Sequence, residues 1–214
     1  MKYSKLIKNL EDQEKSDFKF VLKLAKSCNF DDRHTKQVTK LALKIFDDLQ
    51  DLHKLGQKEK FTLLCAGLLH DIGVHTEGPK EHHKTALNIT MDTPILQFDN
   101  KTRLMIGSIA RYHRRELPSK KHDHFRSLSP EDRDKVSILS GILRVADGLD
   151  YSHKSRIRAI RASFTMKEIQ FDCLAKKLLV KKEISSSDKK GDLLRRYFKR
   201  DQVFKVYSAG EFTG

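Results

Sequence analysis

The chain has 214 residues, 38% hydrophobic and 34% charged, enough for one sizeable core and with nothing that demands a second. Its 43 Lys and Arg against 29 Asp and Glu give a formal net charge of +14, which favours anionic partners. Three widely spaced cysteines without a C-x-x-C pair argue against a disulfide framework or thiolate zinc site. No apolar run approaches the roughly 18 residues of a membrane span, and an 8% aromatic share with no Trp supplies few base-stacking platforms.

The charged start, MKYSKLIKNLEDQEKSD, lacks a signal-peptide core, and a cytoplasmic protein with reduced thiols is expected. Apolar residues then recur at helical spacing to about residue 150. Asp31 or Asp32 caps a helix whose stripe is Val38, Leu41, Ala42, Ile45, Phe46 and Leu49. A second carries Phe61, Leu64, Cys65, Leu68 and Leu69 and stops near Gly73. VHTEGPKEHHK, with Gly78 and Pro79, reads as a loop entering a short helix through Ala86 and Ile89. Ile106, Ile109 and Ala110 belong to a further helix, followed by a long polar connection. Ser129 and Pro130 open the next one, with the stripe Val136, Leu139, Leu143 and Ala146. From about residue 156 the texture changes: IRAIRASFTMKEIQFDCLAKKLLVKKEI alternates in the manner of two or three short strands. EISSSDKKGD reads as a loop, and DLLRRYFKRDQVFKVY as a basic helix with a last strand. The fold expected is mainly α, a helical bundle over residues 1–155 with a small basic α+β appendage over 156–214.

Several ionisable residues fall on the apolar faces. His34 extends the Val38 stripe by one turn; Asp71 follows Leu64 and Leu68 by seven and three; His113 follows Ile109 by four; Asp147 follows Leu143 by four. Any one of them, alone, is most simply a satisfied core residue. Together with His70 they require buried partners for two carboxylates and three histidines, and a shared cation satisfies all at once. Imidazole and carboxylate without thiolate suit one or two ions of Mn, Fe, Co, Ni or Zn in an open site.

The order His34, His70-Asp71, Asp147 resembles the H…HD…D signature of the HD-domain metal-dependent phosphohydrolases. GLLHDIG, EHHK, IARYHRRELPSKKHDHFRSLSPEDRD and ILRVADGLDYSHKSRI are similar to the HD-type C-terminal region of the exopolyphosphatase and guanosine-pentaphosphatase (Ppx/GppA) family, over roughly residues 30 to 207. The resemblance implies an HD-type bundle in which His34, His70, Asp71 and Asp147 hold a divalent metal, with His82 or His83, and His113, completing a second site. It further implies hydrolysis of a phosphate ester or anhydride of a nucleotide or other phosphorylated small molecule by metal-activated water, Asp71, His83 and His113 taking part in the chemistry. The chain has no sequence for the actin-like domain that carries exopolyphosphatase chemistry in long members, and no GYP motif of the cyclic-dinucleotide branch.

Lys84, Arg111, Arg114 and Arg144 flank these ligands and are the candidates for substrate phosphate, the guanidinium fork being suited to its oxygens. Arg144 has the alternative of bracing its helix, and Asp150 and His153 that of orienting ligands. The alternative function is a non-catalytic module that binds polyphosphate, nucleotide or RNA through the basic appendage; no membrane partner is expected, and an oligomer is left open.

Overall fold

The computed structural model describes residues 3, 4 and 6–212, with the side chains of residues 75–81 excepted. The first helix, α1, spans Asp12–Ser27 and packs on α4 (Gln57–Leu69). Between them α2 (Asp32–Asp48) starts where an Asp31 carboxylate oxygen accepts from the backbone N–H groups of Arg33 and His34, and it buries Val38, Leu41, Ala42, Ile45 and Phe46 as its stripe requires. A short α3 (Gln50–His53) follows. Every residue of α4 from Phe61 to Leu69 is buried, which makes it the central helix of the bundle.

The segment VHTEGPKEHHK is helical: it forms the first part of α5, Val74–Asp92, where Gly78 and Pro79 predicted a loop. Propensity is overridden by packing, since α5 lies along α6 (Asn100–Arg111) and buries Ala86 and Leu87. The polar connection after α6 contains only the single turn α7 (Asp123–Arg126). In α8 (Pro130–Leu149), Ser129 caps with its hydroxyl accepting from Asp132 N–H, Pro130 occupies the first turn, and residues 138–149 are buried throughout. Helices α2, α4, α6 and α8 contact one another and enclose the core.

The last third folds onto this bundle. Strands β1 (Ile157–Phe164) and β2 (Glu168–Ala175) form an antiparallel hairpin; β3 (Asp201–Tyr207) then pairs parallel to β2, giving the order β1-β2-β3. The free edge of β1 is met by α2 side chains: Gln37 Nε2 donates to Ile157 O (2.6 Å), Lys40 Nζ to Arg158 O (2.8 Å), and Asp48 Oδ2 accepts from Ala162 N (2.9 Å). The parallel step needs a crossover, supplied by α9 (Lys181–Lys190) and α10 (Asp192–Phe198). Helix α9 occupies most of the stretch that predicted a loop. Its buried residues are Glu183 and Ser187, four apart, so its inward stripe is polar and invisible to apolar periodicity. Ser187 Oγ donates to Val145 O (2.9 Å), and Glu183 Oε1 accepts from Ser152 Oγ (2.5 Å). One buried apolar cluster runs from Phe18 through Phe46 and Leu143 to Ile160, Phe171 and Leu194, joining bundle and appendage. Among the described residues no helix is long and apolar enough to cross a membrane.

Two histidines away from the centre described below make the fold acid-sensitive. His53 is buried, its Nε2 donates to Phe46 O and its Nδ1 accepts from Leu55 N, a pattern only the neutral ring can make. Burial lowers its pKa below 6.5, and burial with the charges of Arg111 and His122 takes His124 down to about 4. The folded state therefore binds fewer protons than the unfolded one below pH 6.5, so this stability is present above that value and is lost as pH falls toward 4. We expect the melting temperature to decline across that window, with a shallower slope in His53→Gln; equal slopes in the two proteins would remove His53 from the explanation.

Candidate metal centre

Five separate segments converge at one end of the bundle. His34 stands in the first turn of α2, His70 and Asp71 occupy the turn that joins α4 to α5, His82 lies in α5, His113 follows α6, and Asp147 is in the last turn of α8. The corner between α4 and α5 is tight: a Cβ on Gly73 would sit 2.3 Å from the carbonyl oxygen of His82, so only glycine lets the HD turn approach α5 this closely.

The side chains form two triads, His34 with His70 and Asp147, and Asp71 with His82 and His113, in each of which the donor atoms lie within 4.8 Å of one another. The Asp71 carboxylate is divided between them. Its Oδ1 lies 3.0 Å from His82 Nε2 and 3.4 Å from His113 Nε2, while its Oδ2 lies 3.4 Å from His70 Nε2 and 3.6 Å from His34 Nε2. Asp147 Oδ1 is 3.3 Å from His34 Nε2.

The outer contacts fix which nitrogen each imidazole presents. His70 Nδ1 faces Gly67 O (2.8 Å) and His113 Nδ1 faces Ala110 O (2.6 Å); a carbonyl only accepts, so each Nδ1 carries the proton and each Nε2 keeps its lone pair. His34 Nδ1 faces Asp150 Oδ2 at 3.0 Å in the same way, and Asp150 is itself buried and anchored by Ser155 N–H (2.7 Å). His153 covers His34 from outside, the two rings stacked 3.7 Å apart, and its Nδ1 donates to the Asp31 carboxylate that caps α2. Replacing Asp150 by Asn should keep the fold while weakening metal affinity about 10- to 100-fold, the usual effect of losing such a partner; an unchanged affinity in a metal titration would show that Asp150 serves only the Ser155 turn.

The electrostatics favour a cation. Burial opposes charge on both carboxylates, yet the imidazoles around Asp71, and the Lys190 ammonium and His34 beside Asp147, hold both acids below the ordinary carboxylate range. Burial lowers His70 and, with the His70 ring, pushes His113 well below 6.5, so both offer lone pairs at neutral pH. His34 differs: burial would lower it, but Asp147 and Asp150 outweigh burial and raise it to about 10, a measure of the negative field at its Nε2. The buried Nε2 atoms of His34 and His70 make no hydrogen bond of acceptable geometry despite carboxylates 3.3 to 3.6 Å away. Ionised carboxylates, the neutral inward nitrogens of His70 and His113, and two such orphaned atoms fit divalent-metal ligation.

Of the ligands expected from the sequence, His34, His70, Asp71, Asp147, His82 and His113 come together. His83, expected as a ligand or catalytic group, contributes to neither triad; consecutive helical residues point about 100° apart, and His82 takes the inward direction. His83 is buried, its ring 6.0 Å from that of His82. The expected phosphate-binding residues divide. Arg114 Nη1 is 3.5 Å from His82 Nε2, Lys84 is exposed, and Arg111 pairs with Glu116 at 2.8 Å. Arg144 is buried and braces its surroundings: Nε donates to Lys190 O (2.8 Å), Nη2 to Asp192 Oδ1 (2.9 Å) and Nη1 to Tyr112 O (3.1 Å). It thereby fixes both the residue before His113 and the end of α9. Sequence reading missed Lys190, whose Nζ contacts Asp147 Oδ2. It stands in a Lys-rich stretch where no apolar periodicity marks which lysine reaches the centre.

A search of curated proteins finds no match for the chain. The family model described as Ppx/GppA phosphatase, domain III, matches residues 19–189, which takes in both triads, the hairpin and nearly all of α9. With four-fifths of its length so matched, the chain belongs to the Ppx/GppA phosphatase domain III family.

Proposed function

We propose that this protein is a metal-dependent phosphohydrolase of the HD type, which cleaves a phosphate ester or anhydride of a nucleotide or related phosphorylated small molecule. The division of the largely buried Asp71 carboxylate, 14% exposed, between two triads of inward-facing donors carries the reading, because such sharing suits two adjacent cations. Membership of a phosphatase family supports it.

His34, His70 and Asp147 would hold one ion, His82 and His113 another, with Asp71 between them. A divalent ion bound there supplies the Lewis acidity that activates water and polarises a phosphoryl oxygen. The chain's own residues do the rest. Asp150, Gly67 O and Ala110 O keep the three imidazoles in the tautomer that points Nε2 inward. Arg114, beside His82, is placed to orient a substrate phosphate. Burial of the donors restricts water around the ligands and strengthens every charge interaction there. Mn, Fe, Co, Ni and Zn all suit the imidazole and carboxylate set.

The test is elemental analysis of purified protein followed by a screen of phosphorylated substrates before and after chelation. The expected result is one or two equivalents of a transition metal, with hydrolysis lost on chelation and restored by the metal found. Protein that takes up none of the five metals would overturn the reading. Protein that binds metal and a phosphorylated ligand without turnover would instead establish the non-catalytic module.

A further inference from the structure

We infer that Lys190, on the appended helix α9, binds the substrate phosphate at this centre. The inference rests on the phosphohydrolase reading and adds to it a residue from outside the helical bundle.

Lys190 is held as few surface lysines are. Gly148 lets α9 approach α8 so closely that a Cβ on it would lie 2.4 Å from Ser187 Cα. Ser187 Oγ then bonds Val145 O, one turn before the Asp147 end of α8, and Arg144 Nε bonds the Lys190 carbonyl oxygen. With its backbone fixed from two sides, the side chain reaches Asp147 Oδ2, on the opposite oxygen from the one that faces His34.

The ammonium has three N–H groups, and among the described residues its ion pair with Asp147 leaves donors for an incoming anion. The Lys190 side chain is 25% exposed, against 9% for Asp147, so it stands on the solvent side of that ligand. Of the other cations near the centre, Arg144 braces backbone, Arg111 is paired with Glu116, and Arg114 stands beside His82 of the other triad. Among the described residues, Lys190 is thus the ammonium that touches a ligand carboxylate while partly open to solvent.

The experiment compares the intact metal-loaded chain with K190M and K190R, reading metal content, melting temperature, affinity for inorganic phosphate by calorimetry, and kcat and KM on the best substrate of the screen. K190M should retain metal within about two-fold, bind phosphate about 10- to 100-fold more weakly and lose kcat/KM to a similar degree, the worth of one charge-assisted hydrogen bond. K190R should recover part of both losses. Phosphate affinity unchanged in K190M would overturn the inference. So would loss of metal in K190M, because Lys190 would then act only by holding Asp147. If the wild-type protein binds metal but neither binds phosphate nor hydrolyses any substrate, it is the phosphohydrolase reading that fails.

Discussion

Asp71→Asn should release the metal from both triads together and lower phosphatase activity by at least about 1,000-fold, although the side chain hardly changes shape. Each triad meets a different oxygen of this carboxylate. An amide can offer one neutral oxygen, and its NH2 group would face imidazole nitrogens that must accept a cation instead. Truncation of either buried charge partner normally costs far more than the pair itself contributes, because the remaining groups stay unpaired. Elemental analysis and kinetics on the same preparation check this. Retention of full metal in the variant would show that Asp71 is not shared between ions.

The largest effect on stability is expected from Gly148→Ala. Helix propensity alone would favour alanine by up to about 1 kcal/mol. Against this, the new Cβ would meet Ser187 Cα at 2.4 Å and Ser187 N at 2.6 Å, backbone atoms that no side-chain rotation can move. Overpacking of this kind costs about 3 kcal/mol, so the net loss should be about 2 kcal/mol and the melting temperature should drop by about 4 to 8 °C. Gly210→Ala, with nothing within 4 Å of the added carbon, is the control and should change little. Displacement of α9 would also draw Lys190 from Asp147, so phosphate affinity should fall along with stability. A Gly148→Ala protein as stable as the control would mean that α8 and α9 can separate without cost.

The legible parts of the molecule were those written in apolar periodicity. The stripe of α2 and the cap at Asp31 placed His34, and the run ending in GLLHDIG placed Asp71, because an ionisable residue on an apolar stripe is an exception that shows. The parts that were not legible depend on tertiary approach. Whether His82 or His83 faces the centre is a matter of helix phase, which the Gly73 corner sets by bringing the HD turn against the His82 carbonyl. Helix α9 was read as a loop because its inward residues, Glu183 and Ser187, are polar and find their partners on α8 and in the turn after it. Arg144 reads equally well as a phosphate ligand or a brace until Tyr112 O and Lys190 O are seen on its guanidinium.

The sealing of β1 by α2 has a consequence for the chain in concentrated solution. An open strand edge presents unpaired N–H and C=O groups on which a strand of another molecule can assemble. Gln37, Lys40 and Asp48 already engage such groups along β1, so the sheet is closed to growth on that side. The opposite margin belongs to β3, whose outer side pairs with no strand among the described residues. Propagation of strands from one copy to the next is therefore confined to a single seven-residue border, and one closed end is enough to stop such a stack after two molecules.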